Sequence, residues 1–400
     1  MFLDAAQNLL WDPVTLERFE LNDDAVSILT EVLRGDSTVS AAERRELDEQ
    51  LSMLAININD IHLWSTQTPI IRTPIIHIIR NCNSPCVMCD CWLTKGRQRM
   101  PLKDITRLFA VFRSLGASTV MISGGEPTLH PDILEIVDAA HDHHLGVELN
   151  SNAIQLARLQ DGLTARRIEA LVVSMDGTNA QDYKTVRGVD RFDRVCTNVR
   201  EFARLNPWTT VGLRTTVTKF SLYDLGSLCR LANDLGVKAV GFNPLDIDSD
   251  SFQREMSVAR SQHLAEMLLP TLDELAAMIS ELRDRDSQMA RTIRHAYQTG
   301  LFDWDVNRFI ECLSFYAMKL GAKASFGDMT QPFASNEPCM FPRLSLVVDY
   351  DSSIRPCFYG PVLSQAANFS PDRFDLAAAM DVMRDEGICV GCRGKLFCGI

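Results

Sequence analysis

Cys82, Cys86 and Cys89 stand in the spacing C-x3-C-x2-C, with Cys91 two residues further on. Three thiolates on one short loop can hold three irons of a [4Fe–4S] cluster and leave the fourth iron open to an outside ligand, unlike a site closed by four cysteines. The same residues permit a zinc site with Cys91 as the fourth ligand, or a set of free thiols. A second group ends the sequence: Cys339 and Cys357, then Cys389-x2-Cys392-x5-Cys398. Clustered cysteines in a reducing compartment point to metal rather than to disulfides, with a zinc ribbon as the plain alternative to iron. Cys196, Cys229 and Cys312 stand alone in patterned segments and read as small buried hydrophobes.

Other residues able to bind polar groups recur in order downstream of the first cysteines. Ser123-Gly124-Gly125-Glu126-Pro127 follows an apolar strand pattern; its two glycines let the backbone pass close to a ligand, and Glu126 offers an acceptor to an ammonium group. Glu148, Asn150 and Asn152 lie in ELNSNA, Ser174 and Asp176 in SMDG, and Arg187 in VRG. An arginine suits a carboxylate because its planar fork pairs through two hydrogen bonds. Each of these taken singly reads equally well as a capped turn or a solvated loop; their ordered placement at successive strand ends gives them weight. Arg80, Lys95, Arg97, Arg99 and Lys103 form a basic rim beside the cysteine loop, suited to an acidic partner or simply to solvent.

The elements that must position these groups are strands alternating with helices over residues 70–245. Strand patterns begin at Ile75, Ser118, Leu145, Ala170, Thr209 and Val237, with amphipathic stretches such as LKDITRLFAVFRSL and PDILEIVDAAHDHH between them. Such alternation predicts a parallel sheet. Six units fall short of the eight in a closed barrel, and a doubly wound open sheet is the competing arrangement. Residues 246–335 read as a helical segment, with TLDELAAMISELRDR and NRFIECLSFYAMKL as its clearest helices. Residues 336–400 begin a different text, in which RLSLVVDYDSSIRPCF predicts two β segments about a turn at Asp351–Ser353. Residues 1–69 form a small α+β extension: ERFEL as a strand, then DDAVSILTEVL and AAERRELDEQLSML as helices.

Composition narrows the classes. The 400 residues, 46% hydrophobic and 23% charged, fit a globular enzyme-sized chain. A net charge of −12 argues against nucleic acid or an anionic membrane as a partner. The start MFLDAAQNLLWDP lacks a signal-peptide pattern, and no apolar run approaches the roughly 18 residues of a membrane span, so the cytoplasm is the expected compartment.

The spacing of Cys82, Cys86 and Cys89, followed by SGGEPTLHPDI, resembles the radical S-adenosylmethionine (SAM) superfamily over residues 74–243. The resemblance implies a partial (β/α)6 TIM-type barrel in which the open iron of a [4Fe–4S] cluster binds the amino and carboxylate groups of SAM. It implies that Ser123, Gly124, Gly125, Glu126 and Pro127 bind the methionine amino group. Glu148, Asn150 and Asn152 match a ribose-side region, and Ser174, Asp176 and Arg187 match groups that hold the ribose and the carboxylate. Two positions depart from the pattern: Met88 stands where an aromatic is frequent, and Ala153 where a glycine is common. The implied chemistry is reductive cleavage of SAM to methionine and a 5′-deoxyadenosyl radical that takes hydrogen from substrate, with a flavodoxin or ferredoxin-type protein as electron donor.

The last cysteines resemble the SPASM/Twitch auxiliary domains of the same enzymes, in which a hairpin and a C-terminal loop enclose further [4Fe–4S] clusters. The resemblance assigns at least one auxiliary cluster to Cys339, Cys357, Cys389 and Cys392, with Cys398 as a spare. Ser352 replaces the glycine of that pattern. The WDPVTLERFELNDDAVSILTEVLRGDSTV stretch resembles a winged-helix-like element that captures leader peptides, and reads equally as a plain capping helical pair. Together these features imply a radical SAM oxidoreductase or maturase that modifies a ribosomally made peptide in natural-product biosynthesis. The alternatives are a dehydrogenase or other tailoring enzyme for a small molecule such as a sugar or aminocyclitol and, from another class, a non-catalytic zinc scaffold.

Overall fold

The computed structural model describes residues 2–4, 9–11, 18–34, 39–53, 56, 62–63, 71–96, 98–247, 257–321, 345–357, 360 and 362–365. Its described residues fall into two compact units, within Met1–Pro69 and within Ile70–Arg373. Cys339, Cys389, Cys392 and Cys398 lie outside the described residues, as does Arg97.

The first unit pairs three short strands in antiparallel order, β1 (Phe2–Asp4), β2 (Leu9–Trp11) and β3 (Arg18–Glu20). Two helices follow, α1 (Asp23–Arg34) and α2 (Ala41–Met53), and then β4 (His62–Leu63), parallel to β1. Both helices start at sequence-coded caps. Asn22 accepts the Ala25 N–H, and Ser40 and Glu43 form a reciprocal capping box. Leu3, Leu10, Val26, Leu29, Leu47, Leu51 and Ile56 make its own small core.

The second unit is built on β5 (Ile75–Ile79), β6 (Thr119–Gly124), β7 (Gly146–Ser151), β8 (Ala170–Ser174), β9 (Thr210–Val217) and β10 (Ala239–Pro244). These six strands are all parallel and lie side by side in sequence order. That order excludes the doubly wound alternative, in which the strand order reverses at a switch point. Strands β5 and β10 are not paired with each other, so the barrel is partial. The connecting helices are α3 (Leu102–Ser114), α4 (Ile133–Asp142), α5 (Leu156–Arg166), α6 (Ala180–Arg187), α7 (Phe192–Leu205), α8 (Lys219–Leu222) and α9 (Leu225–Leu235).

Alternation along each strand separates two faces. Val120, Ile122, Val147, Leu149, Leu171 and Val173 are fully buried in the main core. The intervening Ser123, Glu148, Asn150, Ser174 and Arg214 are only partly covered and face the barrel interior. Four further helices follow: α10 (Val258–Leu268), α11 (Leu272–Arg283), α12 (Gln288–Gln298) and α13 (Val306–Lys319). The buried Tyr316 of α13 reaches back to β9, donating to the Val217 carbonyl at 2.7 Å and accepting the Leu245 N–H at 2.6 Å.

The C-terminal hairpin extends the barrel sheet. Strand β11 (Val347–Val348) lies parallel to β5, and β12 (Ser353–Arg355) and β13 (Ser364–Gln365) continue antiparallel. Because β11 pairs only as far as Ile76, the far end of β5 is free for another partner. The segment 98–100 takes it, with Arg80 N–H on the Gln98 carbonyl at 2.9 Å and Met100 N–H on the Ile78 carbonyl at 2.9 Å.

Candidate active site

The cysteine loop leaves β5 and returns at Gln98, tied at its base by Asn81. The Asn81 side chain donates to the Gly96 carbonyl at 2.7 Å and accepts the Gln98 N–H at 3.0 Å. The two glycines after β6 lie against the start of this loop. A Cβ on Gly125 would overlap the carbonyl oxygens of Arg80 and Asn81, and one on Gly124, whose φ is +136°, would overlap that of Ile79. Only glycine allows this approach. It lets the Gly125 N–H reach the Ile79 carbonyl at 2.7 Å and the Glu126 N–H reach the Asn81 carbonyl at 2.9 Å.

Glu126 is almost fully buried and turned to the protein. One carboxylate oxygen accepts from Thr128 Oγ1 at 2.6 Å, Thr128 N at 3.1 Å and Ser151 Oγ at 2.7 Å; the other accepts the Asn152 N–H at 2.7 Å. Pro127 opens the short 3-10 turn that this carboxylate caps. Glu126 thereby fastens the glycine loop to the end of β7. Asn152 carries the connection onward, donating to Asn83 Oδ1 at 2.7 Å and lying 3.9 Å from the Cys82 sulfur.

Arg187 closes the site from the other side. Its guanidinium meets Asp176 at 3.0 Å, with both side chains buried, and Asp176 also accepts the Thr216 N–H at 2.6 Å. The backbone beside it seats the cysteine loop: Ser84 Oγ donates to the Arg187 carbonyl at 2.9 Å, and the Val87 N–H donates to the Val186 carbonyl at 3.1 Å. Gly188, at φ +73°, ends α6 where a Cβ would strike the Pro85 carbonyl.

Burial, with the Glu126 charge adding to it, pushes the Cys82 thiol up to about 12. Burial raises Cys86 as well, opposed by the nearby Arg187 cation and by a 3.4 Å contact with Ser84 Oγ. The hydrogen bond between Cys91 and Cys89 holds the Cys89 thiol below its ordinary value and pushes Cys91 upward. Thiols raised by burial become anionic ligands only when a cation arrives to offset the desolvation.

Residues from five strand ends thus converge: Cys82, Cys86 and Cys89 after β5, the Ser123–Pro127 loop after β6, Asn152 after β7, Asp176 after β8, and Thr216 on β9. Glu148, Asn150 and Ser174 face the barrel interior instead of joining this hydrogen-bonded ring. Burial raises the Glu148 carboxyl, opposed by the Arg214 cation and reinforced by Glu169. The Asn150 side-chain oxygen is buried without a hydrogen-bond partner.

Several supporting residues carry no motif. Asp90, between two of the cysteines, receives Arg260 of α10 at 2.6 and 2.5 Å. His77 of β5 pairs with Asp349 at 2.8 Å, and Arg355 holds the other Asp349 oxygen at 3.0 Å. Arg80 of the basic rim is turned inward onto Tyr350, with 3.2 Å to its hydroxyl. Of the auxiliary cysteines only Cys357 is described; it is buried just after β12. Asn83, Ser84 and Thr128 were legible only as loop residues. Their roles arise from partners far away in sequence.

The donor set fits a [4Fe–4S] cluster with SAM. Three thiols share one loop beside the Arg187 guanidinium, the glycine loop packs against the base of that loop, and the Asn150 side-chain oxygen lacks a partner. Among the described residues no three His, Cys, Asp or Glu converge on the site of one metal ion; a four-iron cluster spreads its ligands around a cube. The profile of the radical SAM superfamily matches residues 76–226. Residues 76–226 thus match a radical SAM domain. The family implies a [4Fe–4S] cluster and SAM as its cofactors.

The chain is 27% identical over 184 residues to GTP 3′,8-cyclase 1 of Mycobacterium tuberculosis, covering 43% of this chain and 51% of that protein. It is 28% identical over 160 residues to the mycofactocin maturase MftC of the same species, covering 39% and 40%. The chain spans half the length, or less, of these curated relatives. In fold it is similar to Streptococcus suis SuiB, with a TM-score of 0.57 at 15% identity over 96% of this chain and 87% of that one. It is also similar to anSMEcpe with bound AdoMet and Cp18Cys peptide, with a TM-score of 0.53 at 15% identity over 82% and 88%. No helix among the described residues is long and apolar enough to cross a membrane.

Proposed function

We propose that this radical SAM enzyme modifies a ribosomally made peptide, with Cys82, Cys86 and Cys89 as the cluster ligands. The convergence of those cysteines with the glycine loop and Arg187 under one hydrogen-bonded ring carries the cluster assignment. When bound, the cluster and SAM supply reductive cleavage of SAM and a 5′-deoxyadenosyl radical that removes hydrogen from substrate. The chain's own residues do the rest. Gly124 and Gly125 let their loop pack directly against the carbonyls that lead into the cysteine loop, and Asn150 offers its unpaired oxygen to a donor such as a ribose hydroxyl or an ammonium group. Arg187 sets a buried positive charge beside Cys82 and Cys86, where it offsets the negative charge of thiolates. Glu148 and Ser174 line the interior where SAM and substrate meet, and Cys357 with the other C-terminal cysteines holds an auxiliary cluster.

A peptide substrate is supported by the kind of molecule bound in similar folds. SuiB has been solved with its precursor peptide SuiA, at a TM-score of 0.54. The separate N-terminal unit, with its own β-sheet and helix pair, has the size of a peptide-capturing element. A small-molecule substrate is the second reading, favoured by the GTP cyclase relatives. Anaerobically reconstituted enzyme, reduced in the presence of SAM, separates the two. With a candidate precursor peptide taken from a short neighbouring reading frame, we expect a mass change on that peptide together with 5′-deoxyadenosine. Turnover of GTP or a sugar with no change in any such peptide would contradict the peptide assignment.

A further inference from the structure

Val240 and Phe242 of β10 are packed in the main core, so Gly241 and Asn243 face the barrel interior. On β9 the same alternation buries Leu213 and turns Arg214 inward, beside its register partner Gly241. The missing side chain at Gly241 leaves a slot. A Cβ there would come within 2.9 Å of both the Arg214 guanidinium carbon and Asp303 Oδ2. Arg214 and Asp303 therefore meet across Gly241, at the open edge of the partial barrel. Asn243 joins them, its Oδ1 accepting from Arg214 Nη1 at 3.3 Å.

The backbone fixes Asp303 in place. The Val240 N–H donates to the Leu301 carbonyl at 2.6 Å, and the Asp303 N–H donates to the Val240 carbonyl at 3.2 Å. Asp303 Oδ1 then takes the next donor of β10, the Phe242 N–H, at 3.0 Å, where a seventh strand would have supplied a carbonyl. Oδ2 is left 3.8 Å from Arg214 Nη1, beyond hydrogen-bond length. The pairs of Arg187 with Asp176 and of Arg355 with Asp349 close to 3.0 Å. Among the described residues, Asp303 Oδ2, Arg214 Nε and Nη2, and Asn243 Nδ2 make no hydrogen bond to another residue. The Arg214 and Asp303 side chains stay 30% and 42% exposed, so a ligand can reach them. A donor and an acceptor fixed side by side and left unjoined match a ligand edge that offers an acceptor beside a donor.

We propose that Arg214, Asn243 and Asp303 read the substrate by a group with a carbonyl and an N–H on one edge: a primary carboxamide of a peptide side chain, or the lactam edge of a purine. Arg214 donates to the carbonyl, and Asp303 Oδ2 accepts the N–H. A trans peptide bond points its C=O and N–H to opposite sides, so the main chain of a peptide cannot satisfy both. The proposal rests on the radical SAM reading above and names the handle by which that site holds its substrate. Its height in the barrel suits the task. Asn243 is the register partner of Thr216, whose N–H binds Asp176 in the ring around the cysteine loop. Arg214 lies two residues before Thr216, one interior position below that ring.

The test uses the full reconstituted chain, reduced by dithionite in the presence of SAM, with two probes. One is GTP; the other is a candidate precursor peptide from a short neighbouring reading frame, with a form in which every Asn and Gln is replaced by the corresponding acid. Asp303→Asn and Arg214→Gln are compared with the unmodified enzyme. Asparagine keeps an oxygen for the Phe242 N–H, and circular-dichroism melts report folding. We expect both variants to raise KM for the accepted probe about tenfold at little-changed kcat, while SAM cleavage without substrate continues. Asp303→Asn should also turn over the acid form of the peptide better than the unmodified enzyme does, because an amide donates where a carboxylate repels. Turnover of GTP alone, with KM raised in both variants, ends the peptide reading and leaves this proposal standing on the lactam. Unchanged KM in both variants overturns it. So does turnover of neither probe by the unmodified enzyme, or undiminished turnover of the acid form. Loss of substrate-free SAM cleavage in both variants overturns it as well, because the residues would then hold SAM.

Discussion

At the scale of single residues, the site divides into groups read from short spacing and groups that only folding brings near. Cys82, Cys86 and Cys89 and the Ser123–Pro127 loop were legible because their chemistry is local: three thiols on one loop, two glycines in one turn. Arg260 was not legible, because it lies 170 positions from Asp90 and carries no pattern of its own. Glu126 shows a finer limit. Its type suggests an acceptor for a ligand, yet its four hydrogen bonds go to Thr128, Ser151 and Asn152. Glu148 yields a prediction. Burial raises its carboxyl above the ordinary 4.5, so the folded chain binds more protons there than the unfolded chain. Its contribution to stability is then full below the ordinary value and is lost as pH rises through the raised one. Glu148→Gln should therefore flatten the fall in Tm from about pH 4.5 upward, as followed by circular-dichroism melts across pH. A variant whose Tm falls as steeply as the parent's would contradict the burial account.

At the scale of elements, six strands and the helices between them followed from alternation and amphipathic spacing, and the structure resolved what periodicity left open. Sequential parallel pairing from β5 to β10 selects the partial barrel over the doubly wound sheet. Strands β1 and β2 were missed, since three residues each are too few to show a period of two. Two departures from the family pattern acquire a physical meaning. Ala153 and Ser352 stand where glycines are common, and both adopt left-handed backbone, at φ +57° and +68°. The glycine preference at these positions is a backbone requirement that this chain meets at a cost. Ser352 lies in the turn between β11 and β12, where its N–H reaches the Asp349 carbonyl at 2.8 Å. Ser352→Gly should raise stability by about 1 kcal/mol by removing the Cβ strain of the left-handed conformation. Chemical denaturation would show this as a higher midpoint at unchanged slope; a lower midpoint would mean that the side chain contributes more than the strain costs.

At the scale of the whole molecule, the composition argued against nucleic-acid and anionic-membrane partners and little else, and the substrate was not legible from it. On the proposed function, substrate choice rests on which side chains face the barrel interior and on whether the N-terminal unit captures a peptide. Both are set by strand register and by short strands that sequence pattern does not reveal. The cofactor chemistry, by contrast, is concentrated on one loop and is open to direct assay. Anaerobically reconstituted protein should cleave SAM on dithionite reduction and release 5′-deoxyadenosine. The triple variant Cys82→Ala, Cys86→Ala and Cys89→Ala should release none, because alanine cannot ligate iron. A circular-dichroism melt of the variant shows whether it remains folded, since losing a metal site can also cost folding free energy. Loss of 5′-deoxyadenosine in a folded variant is the predicted result; undiminished 5′-deoxyadenosine from that variant would contradict the radical SAM site placed on these cysteines.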